Sequence, residues 1–298
     1  MPALTGSDGR AAEERSRLAL EAAEGVAAWL GVGVDQPAIL SDSNNTIVLL
    51  SPAPIVAKVG TSHFRDAELE SLTRELAVAA YLTRLGAPVV APAHAVHPGP
   101  HRWHNLTLTL WQYTPSLKEE VAREPAEIAG VLSAVHEALV GYPGELPRFD
   151  IELADARRLL LADRSPTLPL SARRFLLGVV DELQETLPPR IADFRPLHGS
   201  PHGGNWIYTA EGPLLLDFET ACLGPLEWDL AALDDAALEF FKEIDLELVA
   251  QLRRMRSVCV AAKCWVEPTR ASEVRDAAHV HLKLLRGEPL DRPTRTPS

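Results

Sequence analysis

A short segment near residue 200 combines histidine, amide and carboxylate side chains at spacings that suit metal and phosphate chemistry. The run His198-Gly199-Ser200-Pro201-His202-Gly203-Gly204-Asn205 is followed, twelve residues after its end, by Asp217-Phe218-Glu219. Amide and carboxylate oxygens suit Mg²⁺, which takes one or two protein ligands and fills its other positions with water and phosphate oxygens. The pattern therefore predicts a magnesium site at Asn205 and Asp217.

The residues between these two candidate ligands predict how they meet. Trp206-Ile207-Tyr208 and Leu214-Leu215-Leu216 are strand-like runs on either side of a turn-rich segment. A β-hairpin centred near Glu211 would pair position 205 with position 217. Asp and Asn pairs are common by chance, so the hairpin alone leaves a purely structural role open.

The loop also has the spacing of a kinase catalytic loop, H-x-D-x-x-x-x-N, in which the Asp is the base and the Asn binds metal. Ser200 occupies the Asp position here. Upstream, Lys58 in Val56-Ala57-Lys58 precedes a helix with Glu75, and kinases use such a pair to place the α- and β-phosphates. Alone, Lys58 also fits a snorkelling lysine on an edge strand. The order of the elements that follow it favours the phosphate-binding role.

The composition sets broad limits on function. The chain has 298 residues, 46% of them hydrophobic, and a formal net charge of -12. This acidity argues against nucleic-acid partners and anionic membrane surfaces, and it suits a cationic small molecule or simply a soluble protein. The sequence shows no signal peptide and no apolar run of spanning length, so a cytoplasmic location is expected.

The elements that must position these residues change character along the chain. A helix is predicted over residues 11–31, short strands over 38–40, 46–50, 55–59 and 106–113, and a further helix over 68–85. Long helical segments follow from residue 119. We predict an α+β fold with two lobes: residues 1–113 with a small antiparallel sheet, a mainly helical lobe over 114–289, and a tail at 290–298.

On these motifs the chain resembles the aminoglycoside phosphotransferase family, which has a protein-kinase-like fold. The resemblance spans roughly residues 20–285 and is most specific from His198 to Asp229, ending in Gly224-Pro225-Leu226-Glu227-Trp228-Asp229-Leu230-Ala231. It implies ATP or GTP and Mg²⁺ as cofactors, with Asn205 and Asp217 on the metal and a hydroxylated small molecule as acceptor. It further implies a bracing role for Asp229 and a packing role for His202.

The resemblance also implies roles for residues of the first lobe. Ser43, Asn44 and Asn45 would cap the nucleotide phosphates, and Lys58 and Glu75 would form an ion pair. The backbone of Trp111, Gln112 and Tyr113 would form the hinge that meets adenine. Neither the choice between ATP and GTP nor that between monomer and homodimer follows from the sequence.

Ser200 is the serious departure from the family pattern. A serine cannot act as a base at neutral pH without a partner, and a positioned base contributes about 10²- to 10⁴-fold. Since positioning and charge neutralisation carry most of phosphoryl transfer, a slow kinase remains open. The substrate could bring its own base or a more acidic nucleophile, Glu219 or Asp193 could fill the gap, or Ser200 could itself accept phosphate. The alternative is a pseudokinase-like protein that only binds a nucleotide or other ligand.

Two other groups of residues are assigned structural roles. His94, His97, His101 and His104 have helical spacing, but the neighbouring prolines forbid a helix, so exposed histidines on a hairpin are expected instead of a zinc site. His136 lies on an apolar helical face and is expected to be a hydrogen-bonded structural histidine. The three cysteines, Cys222, Cys259 and Cys264, are too few for a disulfide framework and are expected to be buried thiols.

Overall fold

The computed structural model describes residues 6–61, 65–117, 124–162, 165, 167–191, 193–266 and 272–289. The fold is mixed α+β, as predicted. In chain order its helices and strands are α1 (Gly6–Trp29), β1 (Val34–Asp42), β2 (Asn45–Pro52), β3 (Ile55–Gly60), α2 (Arg65–Arg84), β4 (His101–Trp103), β5 (Leu106–Gln112), α3 (Pro125–Leu139), α4 (Ile151–Leu161), α5 (Leu170–Thr186), β6 (Arg195–Leu197), β7 (Trp206–Thr209), β8 (Gly212–Leu215), β9 (Cys222–Gly224), α6 (Leu226–Leu230), α7 (Asp235–Leu238), α8 (Leu246–Cys264) and α9 (Ser272–Arg286).

The chain divides into two compact units, each built from two segments. The first unit contains residues 1–149 and 193–244, and the second contains residues 150–192 and 245–298. The lobe boundary expected at residues 113–114 stays a prediction, and the expected tail at 290–298 lies outside the described residues.

An antiparallel sheet in the order β1-β2-β3-β5-β4 forms the centre of the first unit. Helix α1 packs on one face of this sheet through its alanines and Val26, against residues that include Ala57 and Val59 of β3. Successive side chains on a strand point to opposite faces. Lys58, between Ala57 and Val59, therefore faces away from α1, and its ammonium meets Glu75 of α2.

The remainder of the first unit presents the motif segment. Strand β6 pairs with β9, and β7 pairs with β8, so the loop 198–205 lies between two short paired strands. The β7–β8 hairpin is fixed to the segment 88–90, because Val90 N–H donates to the Leu215 carbonyl and Leu215 N–H donates to the Pro88 carbonyl.

The hairpin register differs by one residue from the prediction. Trp206 pairs with Leu215 and Thr209 with Gly212, so the turn contains only Ala210 and Glu211. Thr209 Oγ1 accepts from Glu211 N–H and donates to the Gly212 carbonyl, which closes the shorter turn. Leu216 N–H accordingly donates to the Asn205 carbonyl, and Asp217 lies one residue beyond the position opposite Asn205.

The second unit is helical in its described part. Helix α8 packs against α4, α5 and α9 through a row of buried side chains that includes Leu252, Met255 and Val258. Ion pairs from α8 to its neighbours join Arg254 to Glu182 and Lys263 to Glu152. Within the described ranges, no helix is both long and apolar enough to cross a bilayer.

Two minor expectations need correction. The expected histidine hairpin is present as β4 and β5, but His101 is buried, with its Nε2 2.8 Å from the His97 carbonyl oxygen. His101 pairs with the buried Leu108, and directly paired residues share one face of a sheet, so the His101 side chain lies on the buried face. Of the cysteines, Cys222 and Cys259 are buried, whereas Cys264 is only partly so.

Candidate active site

A single buried lysine lies among three carboxylates in the first unit. Lys58 Nζ is 2.9 Å from both carboxylate oxygens of Glu75, 3.0 Å from Asp217 Oδ1 and 2.5 Å from Glu219 Oε1. Glu75 is 2% exposed and Lys58 7% exposed. The structure therefore brings β3 and the next helix, α2, together with the turn after β8, which is distant from both in sequence.

The charges in this cluster shift one another's ionisation. Burial would lower the pKa of the Lys58 ammonium, but its carboxylate neighbours hold that pKa well above its ordinary value. Burial raises the pKa of the Glu75 carboxyl to about 8, because the attraction of Lys58 only partly offsets the loss of water. Burial also opposes ionisation of Asp217, yet Lys58 holds the pKa of that carboxyl below its ordinary value. Even with Glu75 protonated, the carboxylates of Asp217 and Glu219 outnumber the single ammonium of Lys58, which leaves an excess of negative charge.

Asp217 reaches this cluster through an unusual backbone conformation. Its φ of 68° and ψ of 67° place it in the left-handed region, which residues other than glycine rarely adopt. The residue lies shortly after β8 and directly precedes a 3₁₀ turn, Phe218–Thr220. Asn205, the other predicted metal ligand, is buried, and its Nδ2 donates to the Ser200 carbonyl at 2.8 Å. Its amide oxygen is thus the atom with which Asn205 could bind a cation.

Asp229 holds the start of the loop 198–205 through two hydrogen bonds. Its Oδ2 accepts from the backbone N–H of His198 at 2.9 Å and its Oδ1 from that of Gly199 at 2.8 Å. His136 Nε2 lies 2.8 Å from the same Oδ2. Both Asp229 and His136 are buried, so the carboxylate is compensated by three donors in a dry setting. This geometry is the bracing expected of Asp229 and the structural role expected of His136.

Ser200 lies on this supported loop, close to Asn205. Its N–H donates to His198 Nδ1 at 3.0 Å, and its carbonyl accepts from His202 N–H and from Asn205 Nδ2. The two carboxylates considered as replacement bases are held elsewhere. Glu219 is bound to Lys58, and Asp193 is exposed and paired with Arg195 at 3.1 Å.

The predicted phosphate-capping turn meets the cluster through one of its three residues. Asn45 Nδ2 donates to Glu219 Oε1 at 2.7 Å. Ser43 and Asn44 form the turn between β1 and β2, and the N–H of Ser43 donates to the Asn45 carbonyl. Asn45 therefore connects this turn to the cluster.

The predicted hinge lies at the end of β5, but two of its N–H groups are already used. Gln112 N–H donates to the Ala91 carbonyl and Tyr113 N–H to the Pro54 carbonyl. Trp111 is buried, and its indole N–H donates to Thr109 Oγ1. These two backbone hydrogen bonds remove the N–H groups of Gln112 and Tyr113 as donors to a nucleotide base.

Two contributors to this cluster were missed from the sequence. Glu219 was considered only as a replacement base, although its position two residues after Asp217 was a usable signal. Arg74 donates to the Glu219 carbonyl from α2, through Nε at 3.2 Å and Nη2 at 2.5 Å. These partners are 145 residues apart, and no local pattern indicates such a contact.

The donor set fits a divalent cation. Glu75, Asp217 and Glu219 each offer one carboxylate oxygen, and these atoms lie within 4.8 Å of one another. Hard oxygen donors of this kind suit Mg²⁺ or Ca²⁺ and not the softer metals. Glu75 is the most buried of the three carboxylates, so the cation would be held by Asp217, with Asn205 and Glu219 as further oxygen donors.

Comparison with known sequences agrees with this chemistry. The model of the Phosphotransferase enzyme family matches residues 35–263. Thiamine kinase from Escherichia coli O1:K1 is 31% identical over 160 residues, which are 51% of this chain and 52% of that protein. Thiamine kinase from Shigella flexneri serotype 5b is 30% identical over the same length. The alignments thus span about half of these curated relatives.

Solved structures show the same fold at low sequence identity. Amicoumacin kinase hAmiN, in complex with AMP-PNP, Ca²⁺ and Ami, is 14% identical with a TM-score of 0.68, covering 95% of this chain and 98% of that one. Aminoglycoside 2'-phosphotransferase-IIIa, in its GDP complex, is 15% identical with a TM-score of 0.62, covering 90% and 97%. Choline kinase LicA from Streptococcus pneumoniae is 15% identical with a TM-score of 0.58, covering 89% and 97%.

Proposed function

The chain belongs to the phosphotransferase enzyme family, and from this premise we propose that it transfers a phosphoryl group from a magnesium nucleotide to a hydroxyl of a small molecule. The observation that carries the proposal is the buried cluster in which Lys58 Nζ contacts Glu75, Asp217 and Glu219. Its excess of negative charge is costly in a poorly solvated place unless a cation offsets it. A bound Mg²⁺ would do so.

The residues of the proposed site would then have distinct roles. Asp217 and Asn205 would hold the metal, which when bound neutralises charge on the transferring phosphate. Glu75 orients Lys58 through two hydrogen bonds of 2.9 Å, so that the ammonium is fixed where phosphate oxygens would lie. Asn45 would place the turn between β1 and β2 near the same phosphates. Asp229 keeps the loop 198–205 in position for the acceptor.

The relatives support the nucleotide and the kind of acceptor without selecting one of each. The solved neighbours include complexes with AMP-PNP and with GDP, so both ATP and GTP remain candidate donors. Thiamine kinases and choline kinase are named for small acceptors. We propose a hydroxylated, cationic small molecule, which the net charge of -12 would attract.

The alternative is a protein that binds a nucleotide and performs no transfer, and Ser200 is the observation that favours it. The enzyme is preferred because Lys58 and its partner Glu75 lie in one cluster with the carboxylates of Asp217 and Glu219. A protein without Mg-nucleotide would have no evident physical use for that arrangement.

The first test of this proposal is nucleotide binding. ATP with Mg²⁺ at about a hundredfold excess over its dissociation constant should raise the melting temperature by about 3–8 °C. Asp217→Asn should remove most of this rise, because it replaces a metal-binding carboxylate by a neutral amide. Glu211→Gln is the matched control, since it removes an exposed carboxylate from the turn of the same hairpin. A wild-type protein whose melting temperature did not change would contradict nucleotide binding.

A further inference from the structure

We propose that the acceptor oxygen of this protein belongs to an acidic hydroxyl, one that ionises readily without help from the protein. The inference rests on the proposed phosphotransferase function and narrows its acceptor. It follows from the described side chains on and beside the loop 198–205: each candidate base among them is either replaced or already committed to another bond. The groups concerned are Ser200, His198, His202, Asp229, Asp217 and Glu219.

Ser200 holds the position of the family's base but offers only a hydroxyl. Its backbone is fixed on both sides, since its N–H donates to His198 Nδ1 and its carbonyl accepts from Asn205 Nδ2. In the described residues no hydrogen bond is assigned to its Oγ. A hydroxyl without a hydrogen-bonded base does not accept a proton at neutral pH.

His198 cannot replace the missing base, because both of its ring nitrogens are used. Nδ1 accepts from Ser200 N–H, so Nε2 carries the proton and donates to the Leu216 carbonyl at 2.9 Å. The side chain is fully buried, and burial lowers the pKa of the imidazole further. A proton taken up at His198 would therefore break a hydrogen bond in a dry environment.

His202 is exposed, but its Nδ1 is already a hydrogen-bond acceptor. Its Nδ1 accepts from Gly204 N–H at 3.0 Å, which caps the 3₁₀ turn that ends at Asn205. The neutral ring must then carry its proton on Nε2. Proton transfer to this side chain would release the cap beside a predicted metal ligand.

The three carboxylates near the loop are also occupied. Asp229 is fully buried and receives hydrogen bonds from His198 N–H, Gly199 N–H and His136. Asp217 and Glu219 are bound to Lys58 at 3.0 Å and 2.5 Å. A carboxylate that is held by an ammonium and serves as a metal ligand is a poor proton acceptor.

An acceptor that is already ionised makes a protein base unnecessary. Its oxygen attacks the γ-phosphorus with its own electron pair and forms the new P–O bond. The bond from the γ-phosphorus to the β–γ bridging oxygen breaks, and that oxygen leaves with the bonding pair on the nucleoside diphosphate. No proton moves during the transfer, so Ser200 has no proton to remove. A molecule with such an oxygen can still bear a positive charge elsewhere.

The experiment varies acceptor acidity at nearly constant size. Ethanol, 2-fluoroethanol, 2,2-difluoroethanol and 2,2,2-trifluoroethanol are supplied with Mg·ATP, at concentrations that leave the circular dichroism spectrum unchanged. The alkyl phosphates are measured by ³¹P NMR. We expect wild-type transfer to rise along the series, at least about tenfold from ethanol to trifluoroethanol, because no positioned base compensates for a weak acid.

Three variants separate the possible bases. Ser200→Asp should raise transfer to ethanol about 10- to 100-fold and transfer to trifluoroethanol less than about threefold, since it restores the base. In Ser200→Ala and in His202→Asn the rise in rate from ethanol to trifluoroethanol should stay within about twofold of the wild-type rise. Asparagine at position 202 keeps an acceptor for the cap while removing the imidazole. Loss of transfer in either variant would overturn the inference by identifying a protein base or nucleophile.

Equal wild-type rates to ethanol and trifluoroethanol would also overturn the inference. So would the absence of transfer to every acceptor of the series. In that case the thermal shift with Mg·ATP distinguishes the two proposals: a retained shift would mean that nucleotide binding survives, and a lost shift would mean that the proposed function fails as well.

Discussion

At the scale of single residues, Gly199 decides whether the loop can pass beneath the turn that follows β8. Its φ is 91°, and a Cβ at this position would lie 1.9 Å from the carbonyl oxygen of Thr220. Its N–H also donates to Asp229 Oδ1 at 2.8 Å. The glycine therefore allows both the close approach and the positive φ, and no other residue type would satisfy both.

Gly199→Ala should accordingly destabilise the protein. The new methyl group must displace a backbone carbonyl or break the bond to Asp229, and we expect the free energy of unfolding to fall by about 2–4 kcal/mol. Urea denaturation with linear extrapolation would measure the change.

Gly130→Ala is the control for Gly199→Ala. Gly130 is an exposed glycine inside α3, and nothing lies within 4 Å of a Cβ there. Alanine is the better helix former, so stability should rise by up to about 1 kcal/mol. Equal effects of the two substitutions would contradict a specific steric role for Gly199.

The residue scale also shows which parts of the site the sequence could predict. The pairing of Lys58 with Glu75 follows from their order on a strand and the next helix, and the structure places them at 2.9 Å. The left-handed conformation of Asp217 could not be predicted, because aspartate has only a weak preference for that region and neighbouring residues impose it. The Glu219 contact with Lys58 depends on that conformation and was missed with it.

At the scale of elements, α2 is joined to the turn 218–220 at two adjacent residues. Glu75 reaches Lys58, which binds Asp217 and Glu219, and Arg74 donates to the Glu219 carbonyl. The helix thus fixes both the side chain and the backbone of the segment that carries the metal ligand.

Arg74→Met should loosen this connection while keeping much of the apolar stem of the side chain. Loss of a guanidinium donor to a carbonyl should lower the free energy of unfolding by about 1–2 kcal/mol. Thermal and urea denaturation would measure it. Glu70→Gln removes a carboxylate that lies 3.8 Å from the Arg74 guanidinium on the same helix, and should change stability by less than about 0.5 kcal/mol. If Glu70→Gln lowered the free energy of unfolding as much as Arg74→Met, the loss would come from the surface ion pair of Arg74 with Glu70 and not from the hydrogen bond to the Glu219 carbonyl.

Element boundaries illustrate what a sequence pattern leaves undetermined. The hairpin after Asn205 follows from its two apolar runs, but its register depends on the two-residue turn at Ala210 and Glu211. Hydrogen bonds of Thr209 to Glu211 and Gly212 select that turn, and composition does not reveal them. Shifting a register by one residue changes which side chains share a face. Asp217 lies one residue beyond the position opposite Asn205 and contacts Lys58 from a left-handed backbone conformation.

At the scale of the whole molecule, all residues assigned to the nucleotide and metal belong to the first of the two compact units. They lie within residues 1–149 and 193–244, whereas α4, α5, α8 and α9 belong to the second unit. A ligand at this site stabilises those conformations in which the site is intact. Local openings of the first unit should thus respond to a nucleotide more than local openings of the second.

Hydrogen exchange would measure this difference directly. Under conditions in which amides exchange through local opening, AMP-PNP with Mg²⁺ should slow exchange in β3, α2 and the segments 198–205 and 217–220. Amides of α4, α5, α8 and α9 that open locally should keep their rates, since none of their residues is assigned to the ligand. Asp217→Asn with the same additions is the control and should show little change anywhere. Equal protection in both units of the wild type would mean that the nucleotide suppresses one opening common to the whole chain, and would contradict a response confined to the first unit.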